Sequence, residues 1–214
     1  MTRLAILISG GGTNLQAFID AVTNGSLAVE IAVVVSNRPD AFGLSRARDA
    51  NIPTECVQND DYSDRAAFDE ALADTLCRYE PDLLILAGFM RILTSAFVKR
   101  FEGRILNIHP ALLPKYPGLN THQRVIEAGE QWHGSTVHFV TEELDAGPRI
   151  LQGRVPVLTD DTESLLSARV QAVEHRIYPE AAALFATGRL EFRDGESWLD
   201  GSRLDEPVLF NGED

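Results

Sequence analysis

The alternation of short apolar runs with longer amphipathic stretches is the sequence feature that most restricts the fold of this chain. The apolar runs are residues 4–8, 31–35, 83–87 and 105–108. Between them, apolar side chains recur at helical spacing in residues 14–22, 44–50, 65–79 and 94–101. Largely apolar runs are typical of strands buried on both faces, as in a parallel sheet. The order predicts an α/β fold, an open and mostly parallel sheet with helices on both faces.

The later part of the chain predicts further elements of both kinds. Residues 136–140 and 150–157 are expected to form strands, and the Gly and Pro of the second favour an antiparallel edge strand. A long helix is expected over residues 163–186. Asp160 with Glu163 resembles an acidic capping box at its start. Pro179 should kink or break this helix.

Length and composition limit the class of protein. The 214 residues are expected to form a single domain over residues 1–200 and a loosely held polar tail over residues 201–214, with a tight Asp194-Gly195 hairpin before the tail. No run approaches the roughly 18 apolar residues of a membrane span, and no basic segment precedes an apolar one at the start. We expect a cytoplasmic protein without a membrane partner.

Two cysteines, Cys56 and Cys77, are too few for a disulfide framework or a structural zinc site, and we expect both to be core thiols. The formal net charge of −13 would repel nucleic acid, which argues against an RNA substrate. An anionic small molecule would also be repelled by this field. Local donors must therefore hold any phosphate or carboxylate.

Asn107 and His109 form the most informative polar pair. They are two residues apart in a predicted strand, so they share a face, and Pro110 should end the strand directly after them. Open α/β sheets place their ligands at such carboxyl strand ends. Asn107 can donate a hydrogen bond, His109 can carry a proton, and Asp145, from a later loop, can keep it charged.

Gly10, Gly11 and Gly12 precede a predicted helix that begins with Thr13 and Asn14. Backbone amides and a hydroxyl at a helix N-terminus favour an anion such as phosphate, although a glycine turn with a Thr cap explains the run as well. We favour phosphate because capping does not need three glycines. The loop lacks the spacing of a dinucleotide fingerprint and the Lys of a nucleoside-triphosphate loop, which disfavours NAD and ATP.

The histidines other than His109 have no spacing typical of a zinc set, so we expect no metal. We place His138 near the active site. For His133 and His175 we expect surface or packing roles, and His122 is assigned no role.

Several segments together resemble the phosphoribosylglycinamide formyltransferase family of purine biosynthesis. They are ISGGGTNLQ at residues 8–16, LAGFMRIL at 86–93, NIHPALLPKYPG at 107–118, HGSTVHFV at 133–140, and ARVQ with EH at 168–175. One segment alone is moderately specific, whereas five in order are strong. Gly11 and Thr13 stand where other members carry Asn and Ser, a mild departure because Thr keeps the hydroxyl.

The resemblance implies roles for individual residues. The catalytic residues would be Asn107, His109 and Asp145. The ribonucleotide would contact Gly12, Thr13, Asn14, Gln171 and Glu174, although for the last two a solvated helix face is the plain alternative. The folate would contact Arg65, Met90, Arg91, Ile92, Leu93, Asn107, Thr141, Glu142, Glu143, Leu144 and Asp145.

The activity implied is formyl transfer from 10-formyltetrahydrofolate, the co-substrate, to the glycine amine of 5-phosphoribosylglycinamide, without a metal. Asn107 and imidazolium His109 would stabilise the oxyanion. The proton could pass through His109 or a water, and the protein could be a monomer or a homodimer. Methionyl-tRNA formyltransferase and formyltetrahydrofolate deformylase share the polar set but are expected to carry additional domains. A non-catalytic nucleotide-phosphate binding protein would need neither His109 nor Asp145.

Overall fold

The computed structural model describes residues 1–210 and divides into two compact units, Met1–Asn107 and a second that begins at Ile108. The single-domain boundary at residue 200 stays a prediction. The end of the predicted tail, residues 211–214, lies outside the described residues.

The first unit alternates strands with helices, as the apolar runs predict. Its elements are β1 (Thr2–Ile8), α1 (Thr13–Thr23), β2 (Val29–Ser36), α2 (Phe42–Asp49), β3 (Thr54–Cys56), a 3₁₀ helix (Asn59–Asp61), α3 (Arg65–Cys77), β4 (Leu83–Leu86), α4 (Ser95–Arg100) and β5 (Ile105–His109), whose last two residues belong to the second unit. The strands pair in parallel in the order β5-β4-β1-β2-β3. The predicted α/β class with a mostly parallel sheet is confirmed.

The central strands of this sheet are buried on both faces. Leu4 to Ile8 in β1 and Leu83 to Leu86 in β4 have almost no exposed surface. Each parallel crossover covers a face with a helix, so these strands cannot alternate apolar with polar residues. Polar chemistry is therefore restricted to the strand ends and the loops that follow them.

The strand register brings three of these ends together. Leu7 of β1 pairs with Leu86 of β4, and Leu86 pairs with Asn107 of β5. Because the strands are parallel, the segments that follow them emerge at the same edge of the sheet. The glycine loop after β1 and the segment after β4 thus share an edge with Asn107.

The second unit begins at Ile108, within β5, and contains further strands and one long helix. Its elements are α5 (Thr121–Glu127), β6 (Trp132–Phe139), β7 (Arg149–Pro156), α6 (Glu163–Ala186), β8 (Leu190–Arg193), β9 (Glu196–Leu199), β10 (Ser202–Arg203) and β11 (Val208–Phe210). β6 and β7 are antiparallel, and β7 pairs in parallel with β11. A separate antiparallel sheet joins β8, β9 and β10.

Two predictions for this unit are wrong for one reason. β7 is antiparallel to β6, as expected, but it is not an edge strand because β11 pairs with its other side. The segment predicted as a loose tail supplies that strand, and it also supplies β10. Pairing with an existing strand gives a short segment near the chain end backbone partners that local composition does not reveal.

The helix α6 has the predicted bounds but a different start. Its N-cap is Thr162, whose Oγ1 accepts from Leu165 N at 3.3 Å, so the predicted Asp160 capping box is wrong. Of the predicted kink or break at Pro179, the break is wrong, because the helix continues through Pro179 to Ala186. Pro179, Ala181 and Ala182 are buried, and packing of this face offsets the lost backbone hydrogen bond.

The predicted hairpin is confirmed, since Asp194 and Gly195 both have positive φ between β8 and β9. Cys56 and Cys77 are exposed, so their prediction as core thiols is wrong. Both lie at the last residue of an element, where a side chain can face solvent. Within residues 1–210, none of the helices is long and apolar enough to cross a membrane.

Gly153 fixes how closely α6 packs on β7. A Cβ at this position would lie 1.8 Å from Val173 Cγ1 and 3.4 Å from Ile177 Cγ2. We expect Gly153→Ala to lower the free energy of unfolding by about 1 to 3 kcal/mol through overpacking. Chemical denaturation will measure it, with Gly10→Ala as a control because a Cβ there meets nothing within 4 Å.

A double-mutant cycle identifies the cause. Val173→Ala removes the clashing methyl, so the double variant should lose less stability than the sum of the two single losses. If the two losses of stability are additive, a contact other than the one with Val173 excludes a side chain at position 153.

Candidate active site

His109 is enclosed by hydrogen-bond acceptors. Its Nδ1 lies 3.5 Å from Asp145 Oδ2, and both side chains are only 7% exposed. Its Nε2 lies 2.9 Å from the backbone oxygen of Tyr116. A carbonyl can only accept, so Nε2 carries the hydrogen of this contact. A protonated ring would donate toward both partners and form a buried ion pair with Asp145.

Asp145 is positioned by the backbone around it. It has φ +54°, a left-handed conformation that is uncommon for a residue with a side chain. Its Oδ2 accepts from Gly118 N at 2.9 Å. The same carboxylate oxygen therefore faces both His109 and the loop that follows β5, which makes the acid more than a turn residue.

Asn107 lies two residues before His109 in β5 and on the same strand face. Its neighbours Leu106 and Ile108 are buried, whereas Asn107 is half-buried. The predicted arrangement of the strand is therefore present. The roles of the two polar side chains remain predictions.

Ser135 of β6 links the backbone of His109 to Glu174. Its Oγ lies 2.8 Å from the His109 carbonyl oxygen and 3.0 Å from Glu174 Oε1, so one hydroxyl hydrogen serves two acceptors. Glu174 is buried, and Gln171 lies one turn earlier on the same side of α6. A solvated face therefore does not account for Glu174. The sequence analysis assigned Ser135 no role of its own, although it lies in the segment HGSTVHFV, because its partners in β5 and α6 are distant along the chain.

The glycine loop follows β1 and leads into α1. Gly12 is the N-cap, with φ +71°, and a Cβ there would lie 2.7 Å from the Cα of Gly43. Gly12 is thus required by packing against α2, whatever ligand binds. A Cβ at Gly10 or Gly11 would meet nothing within 4 Å, so these two glycines have open space beside them. Thr13 begins the helix and Asn14 follows, so the alternative explanation by a Thr cap is wrong, because the N-cap is Gly12.

Arg46 of α2 brings a positive charge to this loop. Its Nε donates to Gly11 O at 2.9 Å and its Nη1 donates to Gln16 Oε1 at 3.0 Å. No acidic residue lies in the first turn of α1. A cation and helix amides, without a nearby acid, form a local environment for an anion on an acidic chain. No local pattern indicates Arg46, since α2 approaches the loop only in the tertiary structure.

The predicted folate residues lie in three places. Arg65 is an exposed residue at the start of α3. The second group follows β4, with Met90 66% and Ile92 60% exposed, Arg91 and Leu93 half-buried, and Arg91 stacked 5.5 Å from the Phe68 ring centroid. The third is the loop between β6 and β7, made of Thr141, Glu142, Glu143, Leu144 and Asp145.

The other histidines are buried or half-buried. His138 is buried, which lowers its pKa, and its Nδ1 lies 2.8 Å from Phe139 O. His122 Nδ1 lies 2.9 Å from His133 Nε2. Burial, and secondarily the neighbouring His122, lowers the pKa of His133 to about 4. Among the described residues, no group of three or more His, Cys, Asp or Glu could hold a metal ion.

The His122–His133 contact predicts acid sensitivity. A shared hydrogen needs at least one neutral ring, and the folded-state pKa of His133 lies below the usual 6.5. The contribution of neutral His133 is present above pH 6.5 and is lost as the pH falls toward 4. A shift of this size corresponds to a loss on the order of 3 kcal/mol in the free energy of unfolding.

Denaturant unfolding between pH 7 and pH 4 measures this loss. His133→Gln cannot take up the proton, so its unfolding free energy should fall less steeply over this range. Equal slopes for the two proteins would show that another group causes the acid sensitivity.

Comparison with known proteins assigns the class. The formyl transferase family matches residues 2–182, most of the chain. The chain therefore belongs to the formyl transferase family. It is 51% identical over 202 residues to the phosphoribosylglycinamide formyltransferase of Escherichia coli, a match that covers 94% of this chain and 95% of that protein. The family resemblance drawn from the five segments is confirmed.

Solved structures of related proteins support the same family assignment. The phosphoribosylglycinamide formyltransferase of Coxiella burnetii superimposes with a TM-score of 0.95 at 49% identity, over 98% of this chain and 99% of that one. A formyltetrahydrofolate deformylase of Pseudomonas syringae is more distant, with a TM-score of 0.86 and 25% identity, over 92% of this chain and 65% of that one. The first similarity extends over nearly all of both chains, whereas the second leaves a third of the deformylase unmatched.

Proposed function

We propose that the protein transfers the formyl group of 10-formyltetrahydrofolate to the glycine amine of 5-phosphoribosylglycinamide. The observation that carries the proposal is the buried His109–Asp145 pair, in which His109 lies two residues after the half-buried Asn107 in β5. A non-catalytic phosphate-binding protein would have no use for such a pair, since burying two ionisable groups is costly without a function.

The reaction is a direct acyl transfer. The glycine nitrogen attacks the formyl carbon, and a new C–N bond forms while negative charge develops on the formyl oxygen. The amide of Asn107 and an N–H of His109 donate to that oxygen. The bond from the formyl carbon to the folate nitrogen then breaks, and one proton moves from the attacking amine to that nitrogen. Asp145 stabilises the protonated ring of His109 by its opposite charge.

The contact between His109 Nε2 and Tyr116 O adds one step to this scheme. Asp145 faces Nδ1, so Nε2 is the donor left for a substrate. The formyl oxygen must then take the place of the Tyr116 carbonyl as acceptor. Exchange of one acceptor for another keeps the buried N–H satisfied throughout.

In the same proposal, the ribonucleotide phosphate binds the loop and helix start at Gly12, Thr13 and Asn14. Gln171 and Glu174 hold the rest of the ribonucleotide. Backbone groups of residues 141–145 bind the pterin of the folate, and the apolar side chains after β4 cover its ring. Arg65 or Arg91 pairs with the anionic tail of the folate.

An assay with and without the ribonucleotide tests the proposal. The protein should convert formylfolate to tetrahydrofolate only when 5-phosphoribosylglycinamide is present. Formate release without the ribonucleotide would identify a deformylase. Binding of the ribonucleotide without turnover would identify a binding protein.

Thr13→Val tests the proposed phosphate site. The substitution removes the hydroxyl of Thr13, one of the proposed phosphate donors, and keeps the size of the side chain. We expect the KM for the ribonucleotide to rise about tenfold or more, since a hydrogen bond to a charged group contributes about 1.5 to 3 kcal/mol. The KM for formylfolate and the unfolding free energy should not change. Gly12→Ala is the poorer test, because its clash with Gly43 would destabilise the protein.

Asn107→Ala tests the oxyanion donor. Removal of one such donor costs about 100-fold to 1,000-fold in turnover. Single-turnover rates measure the chemical step, and Asn24→Ala, an exposed substitution at the end of α1, is the control. A loss below tenfold in the chemical step would remove Asn107 from the mechanism.

A further inference from the structure

The segment after β4, residues 88–94, has no regular secondary structure, and yet buried side chains hold it at two backbone amides. An irregular segment has no ladder to pair its N–H groups, so side chains or water must do so. Ser9 and Asp69 are the two side chains concerned, and both belong to the first unit together with the segment itself.

The first attachment is at Met90. Its N–H donates to Ser9 Oγ at 2.8 Å, and Ser9 Oγ donates to Asn37 Oδ1 at 2.6 Å. The amide nitrogen of Asn37 then donates to Asn59 Oδ1 at 3.2 Å. Since a backbone N–H can only donate, Ser9 Oγ accepts from Met90 and its own hydrogen remains available to donate to Asn37. Ser9 and Asn37 are buried, at the ends of β1 and β2.

The second attachment is at Thr94. Its N–H donates at 2.6 Å to Oδ2 of Asp69, a residue of α3 that is 2% exposed. Thr94 in turn caps α4, because its Oγ1 accepts from Phe97 N at 3.3 Å. A buried carboxylate that accepts a backbone N–H forms one of the stronger kinds of hydrogen bond.

Between these two attachments the segment exposes apolar side chains. Met90 and Ile92 are more than half exposed. Arg91 has a buried Nε without a hydrogen-bond partner among the described residues. A backbone fixed at both ends, with apolar side chains outward, is suited to cover the flat ring of a ligand without first becoming ordered.

We propose that Ser9 and Asp69 are positioning residues that hold residues 88–94 in the conformation that binds formylfolate. The inference rests on the proposed function, in which this segment contacts the folate. The register places the segment next to Asn107, since it follows Leu86, the partner of Asn107 in β5. Ordering the segment in advance therefore also orders the wall beside the oxyanion donor.

Ser9→Ala and Asp69→Ala test this inference in the full-length protein. Each removes the acceptor of one backbone N–H. We expect the KM for formylfolate to rise roughly five- to tenfold, the effect of one lost hydrogen bond. The KM for the ribonucleotide and kcat at saturation should stay within about twofold. A rise in both KM values together with a fall in kcat would indicate general damage and overturn the inference.

Two matched variants sharpen the test. Asp69→Asn keeps an oxygen acceptor for Thr94 N, so it should restore most of the formylfolate KM. Asp74→Ala removes an exposed carboxylate from the same helix and should have no effect. If Asp69→Asn is as impaired as Asp69→Ala, the hydrogen bond to Thr94 does not position the segment.

Hydrogen exchange on the unaltered protein covers the case in which the alanine variants do not fold. The amides of Met90 and Thr94 should exchange slowly before any ligand is added, and tetrahydrofolate should slow them little further. Exchange at the rate of an unstructured peptide would overturn the inference. Absence of formyl transfer by the unaltered protein would instead refute the proposed function, so the two failures are distinguishable.

Discussion

Burial of the parallel strands on both faces is the constraint on which the rest of the first unit depends. Residues 4–8 of β1 and all of β4 have no solvent face, so their side chains are apolar throughout. Polar groups can appear only where a strand ends. The register aligns the ends of β1, β4 and β5, and the glycine loop, residues 88–94 and Asn107 therefore emerge side by side. The position of this candidate site follows from the sheet.

Charge shapes the site as strongly as packing does. With 32 acidic and 19 basic residues, most environments on this chain repel anions. Many of the arginines pair with neighbouring carboxylates, as in the Arg169–Asp161 bridge, where Arg169 holds the pKa of Asp161 at about 2. Arg46 instead binds a loop carbonyl and a glutamine. A proposed phosphate site beside it thus depends on local donors and not on the overall field.

Buried polar groups set the geometry of the chemistry. His109 has an acceptor at each ring nitrogen, Ser135 has two acceptors, and Ser9 both accepts and donates. Such groups are costly to bury unless each is satisfied, so every one of them fixes its neighbours. The side chains of the candidate site therefore have little freedom to reorient, which suits a reaction that relies on oriented donors.

Local sequence pattern was sufficient to predict the main strands and helices, the Asp194-Gly195 hairpin and the position of Asn107 and His109 on one face of a strand. These features depend on spacing within a short segment, where period and turn chemistry decide the outcome. The five segments were sufficient for the family. The exposure of the two cysteines, the strand in the tail and the interior position of β7 were not visible in this way, because each depends on a partner distant in sequence.

The same division applies to the site. The sequence by itself determined the candidate residues, since Asn107, His109 and the glycine run are recognisable where they stand. Only the tertiary structure decided what surrounds them. Asp145 reaches His109 across 36 positions of chain, Arg46 reaches Gly11 across 35, and Ser9 reaches Met90 across 81. Contacts of this kind form when separate elements pack, and no local pattern specifies their distances.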